Sequence, residues 1–262
     1  MNEKLRKILS VLPWVAASTA YASDPASQVD EETFWQQVYD SRTTYYEKNI
    51  GQFPDDILKM GNMTGVWPGG GLFVLQADKI GKGLWAYTTF GMTNPDMPAS
   101  TMMADYKIET DGQGRASRYS STLQNKEQAK SAEDSAGYGY EMLLIAKENA
   151  DWPLWFMQWS ANAEILNDAG ILDRVEKHQG LTVQDIQVGE TESVNVLIAK
   201  AQHPLPTGFI LPNGKMELLI ATVITDDEMQ WSLENGREEL LAKLLESGNG
   251  QVSDRNRVSV FK

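Results

Sequence analysis

The chain has 262 residues, 42% hydrophobic and 9% aromatic, enough for one sizeable core and too apolar for disorder throughout. It contains no cysteine, which excludes disulfides, thiolate catalysis and cysteine-ligated metals. Its formal net charge of −13 repels phosphate backbones and argues against nucleic-acid binding. The same charge speeds encounter with a basic partner, although it serves solubility equally well.

The N-terminus carries Lys4, Arg6 and Lys7, followed by the uncharged stretch ILSVLPWVAASTAYA. A positive start, a short apolar run and the ending Ala20-Tyr21-Ala22 form the pattern of a secretory signal peptide over residues 1–22. The run is too short for a comfortable membrane span, so the mature chain is expected without stable membrane insertion. This reading places the protein in the periplasm or outside the cell. The alternatives are a buried N-terminal helix or a misassigned start codon, and either leaves the protein cytoplasmic.

Residues 23–30 read as a linker before one domain spanning 31–262. Asp30 is a candidate cap for a helix over EETFWQQVYDSRTTYYEKN, whose large apolar residues Phe34, Trp35, Val38, Tyr39, Tyr45 and Tyr46 have helical spacing. LFVLQAD and GLWAYTTF read as strands joined by KIGKG, and ADYKIET as a further strand before the turn DGQGR. Residues 117–136 are polar and charged and read as a surface loop. GYGYEMLLIAKE predicts a strand with a buried centre.

The next segment predicts a helix capped by Asp151, with Pro153 in its first turn. Its expected buried face is Trp152, Trp155, Phe156, Trp159, Ala163 and Leu166. Residues 171–190 are ambiguous. ESVNVLIAKA predicts a strand, and QHPLPTGFILPNGK a proline-braced loop with Asn213-Gly214 as a hairpin-type turn. MELLIATVI predicts a strand covered on both faces. Thr225 and Glu228 have capping-box spacing at the start of a helix that Asn235-Gly236 ends, and REELLAKLLES forms another. These uneven runs predict an α+β fold, with helices packed on a mixed or antiparallel sheet.

Motifs for chemistry fail in turn. PGGGLF lacks the lysine of a phosphate-binding loop, and GYGYEM precedes a strand where the dinucleotide fingerprint must follow one. Asp226-Asp227 suits a helix N-terminus, where the dipole favours negative charge. Of the two histidines, His203 lies in a constrained loop and His178 at a helix end, and no carboxylates stand out as partners for a metal. No cofactor is expected. Aromatic residues on loops are candidate partner anchors: Trp67 beside Pro68, with Tyr138 and Tyr140 at a strand start. Burial at core edges is the competing reading for them. The loop GMTNPDMP ends a strand, is stiffened by prolines, and adds Met92, Asp96 and Met97 as candidate contacts.

The order of elements in ELLIATVITDDEMQWSLENGREELLAKLLE resembles the C-terminal part of the bacterial suppressor-of-fused domain family. GLWAYTTFGMTNPDMP resembles that family's strand and G-M loop. YGYEMLLIAKENADWPLWFMQWSA is similar to its strand followed by a W-P helix, and SDRNRVSV to its closing segment. The resemblance covers roughly residues 31–260 and implies an α+β fold. It also implies a non-enzymatic protein-binding role. The animal relative holds a transcription-factor peptide between two lobes, partly as an added β-strand. Bacterial members look like binding proteins, many beside toxin genes in the manner of immunity proteins. The expected partner is thus a protein or peptide, a basic toxin among the candidates. The rival readings are an exported hydrolase working through carboxylates and a structural envelope protein.

Overall fold

In this computed structural model, residues 25–54, 61–62, 65–66, 71–97, 101–110, 116–125 and 134–262 are described. The signal-peptide reading, with Ala20 and Ala22, lies outside them, as does Trp67. The chain divides into two compact units, Met1–Phe34 and Trp35–Lys262. The described part of the first unit is helical. The helix begins at Pro25, inside the segment read as a linker, because proline is tolerated in a first turn whose N–H groups lack helical partners.

The elements in order are α1 (Pro25–Asn49), β1 (Gly61–Asn62), β2 (Gly65–Val66), β3 (Gly71–Gln76), β4 (Trp85–Phe90), β5 (Thr101–Thr110), β6 (Ala116–Asn125) and β7 (Ser135–Ala146). There follow α2 (Trp152–Asn167), α3 (Ile171–His178), β8 (Leu181–Gln187), β9 (Ser193–Lys200), β10 (Phe209–Leu211), β11 (Gly214–Ile224), α4 (Asp226–Asn235), α5 (Arg237–Glu246) and β12 (Val252–Ser253).

One eight-stranded mixed sheet organises the second unit, in the order β3-β4-β7-β11-β9-β8. β7 and β11 run parallel, Met142 beside Leu219, and the other neighbours along this path are antiparallel. β10 pairs with the start of β11 across the hairpin at Pro212-Asn213. β12 joins the end of β7 in parallel register, and β4 already occupies the far side there.

Alternate residues feed two layers. On one face Tyr140, Met142, Leu144, Val196, Ile198, Leu219 and Ala221 pack with Phe156, Met157 and Ala161 of α2 and Ile171 and Val175 of α3. On the other, Leu143, Ile145, Leu218 and Ile220 pack with Val38 and Tyr46 of α1 and with Ile50 just beyond it. Leu197, Ala199 and Ile224 meet Met229 of α4 and Leu240, Leu241 and Leu244 of α5. Cover on both faces explains why β7, β9 and β11 are near-continuous apolar runs.

Three further expectations change, besides the linker that is helical from Pro25 and so places the predicted cap Asp30 inside α1. Residues 116–125 are not a loop: they pair antiparallel with β5 as a two-stranded ribbon. The ribbon's sequence, ASRYSSTLQN, lacks the apolar alternation that marks a half-buried strand, so only the backbone ladder reveals it. The face of α2 is rotated from the predicted one. Trp155 is 49% exposed, while Pro153, Phe156, Met157, Ser160, Ala161, Glu164 and Ile165 are buried. The helix is apolar almost all round in its first half, so periodicity alone could not choose the stripe. Asp151 holds the N-cap position in a helical conformation and makes no capping bond.

Candidate functional site

β4 ends at Phe90, and residues 91–97 turn back over the sheet. Asn94 N–H donates to the Gly91 carbonyl and Met97 N–H to that of Asn94, two consecutive tight turns. Main-chain N–H groups in such a loop need acceptors once buried. One side chain supplies the acceptor for two more of them. Glu141, on β7 and fully buried, accepts from Gly91 N–H at 3.0 Å and Thr93 N–H at 3.1 Å through Oε1. It also accepts the hydroxyls of Thr93 at 2.7 Å and Thr89 at 2.7 Å.

A buried carboxylate needs a counter-charge. Arg42 of α1, also fully buried, provides it at 3.3 Å. The guanidinium donates to Thr93 Oγ1 at 2.8 Å and Asn94 Oδ1 at 2.7 Å, and its central carbon lies 4.1 Å over the Phe90 ring. Desolvation lowers the Arg42 pKa against the opposing pull of Glu141. Asn213, from the β10–β11 turn, donates to the Thr93 carbonyl at 2.9 Å, and Tyr138 N–H donates to that of Met92. The loop is therefore clamped by a helix, the strand β7 and a hairpin turn.

Only part of the predicted contact set faces solvent. Met92, Met97 and Tyr140 are 1%, 7% and 1% exposed, so they are core residues and not surface anchors. The loop is short, its first half is drawn inward by Glu141 and a second turn returns Met97 to the core, so both methionines are buried. Tyr140 donates its hydroxyl to Glu164 at 2.9 Å. Tyr138 is half-buried, and among the described members of the set Asp96 alone is exposed. Burial holds the Asp96 carboxyl above the usual aspartate range, against hydrogen bonds from its own backbone and the Trp35 side chain.

The sequence reading missed Arg42, Thr93, Asn94 and Glu141 as a unit, for Arg42 and Glu141 stand 99 positions apart. The one available signal was a charged residue in the middle of the apolar strand GYEMLLIA.

Two further buried carboxylates hold chain segments. Glu164 of α2 accepts Gly170 and Ile171 N–H at 3.0 and 2.9 Å, closing the N-terminus of α3. Glu228 of α4 takes Thr225 N–H at 2.9 Å, the predicted capping-box bond, and Val260 N–H at 2.9 Å. Arg257 grips both of its oxygens, with Nη1 at 2.6 Å from Oε1. Asp226 and Asp227 sit in the first turn of α4, and His178 is exposed at the last turn of α3. Among the described residues no cluster of His, Asp and Glu could hold a metal, and no helix is long and apolar enough to cross a membrane.

Gly137 tests how closely loop and sheet fit. Its φ is +53°, and an added Cβ would meet the Met92 carbonyl oxygen at 2.3 Å and the Met97 Cβ at 2.9 Å. Gly137→Ala is expected to cost about 1–3 kcal/mol, from strain and overpacking together. Gly83, with φ +78° and open space around it, is the control: its alanine variant should cost about 1 kcal/mol. Chemical denaturation of both variants reads the difference.

Helices on both faces of a mixed sheet, with buried ion pairs tying down a loop and the chain end, define an α+β protein whose buried polar groups hold its backbone in place. The chain belongs to the suppressor of fused protein family, whose pattern it matches over residues 70–258. Among solved structures, the Sufu–Fu complex aligns with TM-score 0.53 and 14% identity, covering 87% of this chain and 92% of that one. A putative suppressor of fused homolog from Neisseria gonorrhoeae FA 1090 aligns with TM-score 0.49 and 17% identity over 87% and 97%. Drosophila Suppressor of Fused aligns with TM-score 0.45 and 14% identity over 87% of this chain, which spans about half of the Drosophila protein, 51%. These likenesses are of fold. A search of curated protein sequences returned no match.

Proposed function

We propose that this chain is a non-enzymatic protein-binding domain, of the immunity type that captures and neutralises a basic toxin or similar partner. Family membership over residues 70–258 carries the reading. The related structure that aligns best in TM-score among those above is that of a complex, Sufu with Fu. The net charge of −13 favours a basic partner by long-range attraction. The buried carboxylates Glu141, Glu164 and Glu228 are each occupied by hydrogen bonds that hold backbone in place, which suits a rigid docking scaffold. With the leader cleaved, the meeting place is the periplasm or the exterior.

Affinity purification of the full chain from its native host should recover a stoichiometric protein partner, released by raised salt as an electrostatic interface requires. Failure to recover any partner, together with turnover in a glycoside and ester panel that is lost on replacing a single carboxylate, would establish the hydrolase reading instead.

A further inference from the structure

Asn235-Gly236 ends α4, and neither the core nor the buried ion pairs use its side chain. In an Asn-Gly pair a side-chain amide faces the least hindered of main-chain nitrogens, because glycine has no Cβ to block the approach. The chain has three such pairs, Asn213-Gly214, Asn235-Gly236 and Asn249-Gly250. Identical in chemistry, they differ in surroundings.

Asn213 is tied through its side-chain N–H to the Thr93 carbonyl at 2.9 Å. Gly214 is pressed against the start of β7: an added Cβ would meet the Asp134 carbonyl oxygen at 2.7 Å and the Ala136 nitrogen at 2.8 Å. A ring built on that glycine nitrogen has no room. Gly250 has open space, but Asn249 is half-buried, and its side chain donates to Ser247 Oγ at 2.8 Å. The residue after it, Gln251, is buried and bonded to the Gln202 N–H and the Lys200 carbonyl, so the chain there is fixed in place.

Asn235 is exposed, and nothing lies within 4 Å of a Cβ placed on Gly236. Two bonds restrain the pair: Asn235 Nδ2 to the Trp231 carbonyl at 3.0 Å and Gly236 N–H to the Ser232 carbonyl at 2.9 Å. Both belong to the last turn of a ten-residue helix, the part of a helix that frays.

We propose that Asn235 is a site of spontaneous deamidation in the folded protein. When the last turn of α4 opens, the Gly236 nitrogen attacks the Asn235 side-chain carbonyl carbon. A C–N bond forms, and the proton of that nitrogen passes through solvent to the amide group, which leaves as ammonia. Water then opens the resulting cyclic imide at either carbonyl, giving aspartate or isoaspartate. Either product adds a negative charge at the C-terminal end of α4, where the helix dipole disfavours it. Isoaspartate also adds a methylene to the main chain between α4 and α5. This chemistry needs no partner and stands apart from the protein-binding role.

The full chain is held folded in mildly alkaline buffer, and samples are resolved by anion exchange and mapped by peptide mass spectrometry. An acidic species should accumulate, with the mass gain of deamidation reaching Asn235 severalfold earlier than Asn213 or Asn249. Asn235→Gln should keep the wild-type melting temperature and suppress that species. In urea, where the surroundings are gone, the three pairs should convert at similar rates. Earlier conversion at Asn213 or Asn249, an unchanged acidic species in Asn235→Gln, or no conversion of the folded chain over the time that completes it in urea would overturn the site. A lead for Asn235 that persists in urea would overturn the part assigned to the fold.

Discussion

Replacing Glu141 with alanine should lower the unfolding free energy by about 3–5 kcal/mol, the range for breaking one side of a buried ion pair. The substitution strands the Arg42 charge where neither group has any solvent exposure. It also orphans the N–H groups of Gly91 and Thr93 and the hydroxyls of Thr89 and Thr93. Each such buried donor costs about 1–3 kcal/mol when left unmade, less whatever water and relaxation recover. Against a typical total of about 5–15 kcal/mol, the variant should sit near the edge of folding. The double variant Arg42→Met/Glu141→Leu removes both charges and should lose less than the sum of its single changes, since neither charge is then left alone. Urea denaturation of the single and double variants measures this. A loss under about 1 kcal/mol for Glu141→Ala would show that water reaches the pair and that the clamp is not the loop's support.

Arg257→Ala should cost about 3–5 kcal/mol at neutral pH, for the same reason applied to a second pair. Glu228 is fully buried and the Arg257 side chain only 6% exposed. Burial alone would raise the Glu228 pKa. The hydrogen bonds from Arg257, Thr225 and Val260 outweigh it and hold the value below the usual 4.5. A lowered folded-state pKa contributes stability that is present above the unfolded value and disappears as pH falls through the folded value. The wild-type protein should therefore weaken below about pH 4.5 by this route. In Arg257→Ala the penalty at neutral pH is that of a buried, unmatched carboxylate, and protonation relieves it. The gap between variant and wild type should narrow as Glu228 titrates. Denaturation midpoints across that range check the sign, and a gap that widened on acidification would contradict it. Because Glu228 also holds Val260 N–H, the variant should expose the C-terminal residues to proteolysis before the rest of the chain.

The two pairs also show where reading along the chain stops. Thr225 with Glu228 is a local pattern, and the predicted bond from Thr225 N–H forms at 2.9 Å. The strands that build β3, β4, β7, β9 and β11 announced themselves by apolar and β-branched runs, and the β10–β11 hairpin by its turn residues, although the turn sits at Pro212-Asn213, one residue before the predicted Asn213-Gly214. The ribbon strand β6 did not, because nothing in ASRYSSTLQN alternates. The α2 stripe was misplaced because Trp155 and Phe156 are equally apolar, and only the sheet beneath decides which one turns inward.

For the candidate site the division is sharper. The sequence singled out GMTNPDMP as a stiff, strand-ending loop, and its placement of Asp96 at the surface stands. The same reading put Met92 and Met97 there too, and burial against β7 reversed that.

What the sequence by itself determined is the α+β class and the local ends of helices and strands, because those depend on periodicity and on partners a few residues away; the family showed as a resemblance in the order of its motifs. What only the tertiary structure decided is which polar residues meet. Arg42, Thr93 and Glu141 converge from a helix, a loop and a strand. Such meetings follow from how the layers close on the sheet, and desolvation makes them count: a charge that is ordinary in an extended chain must find its counterpart once the core excludes water.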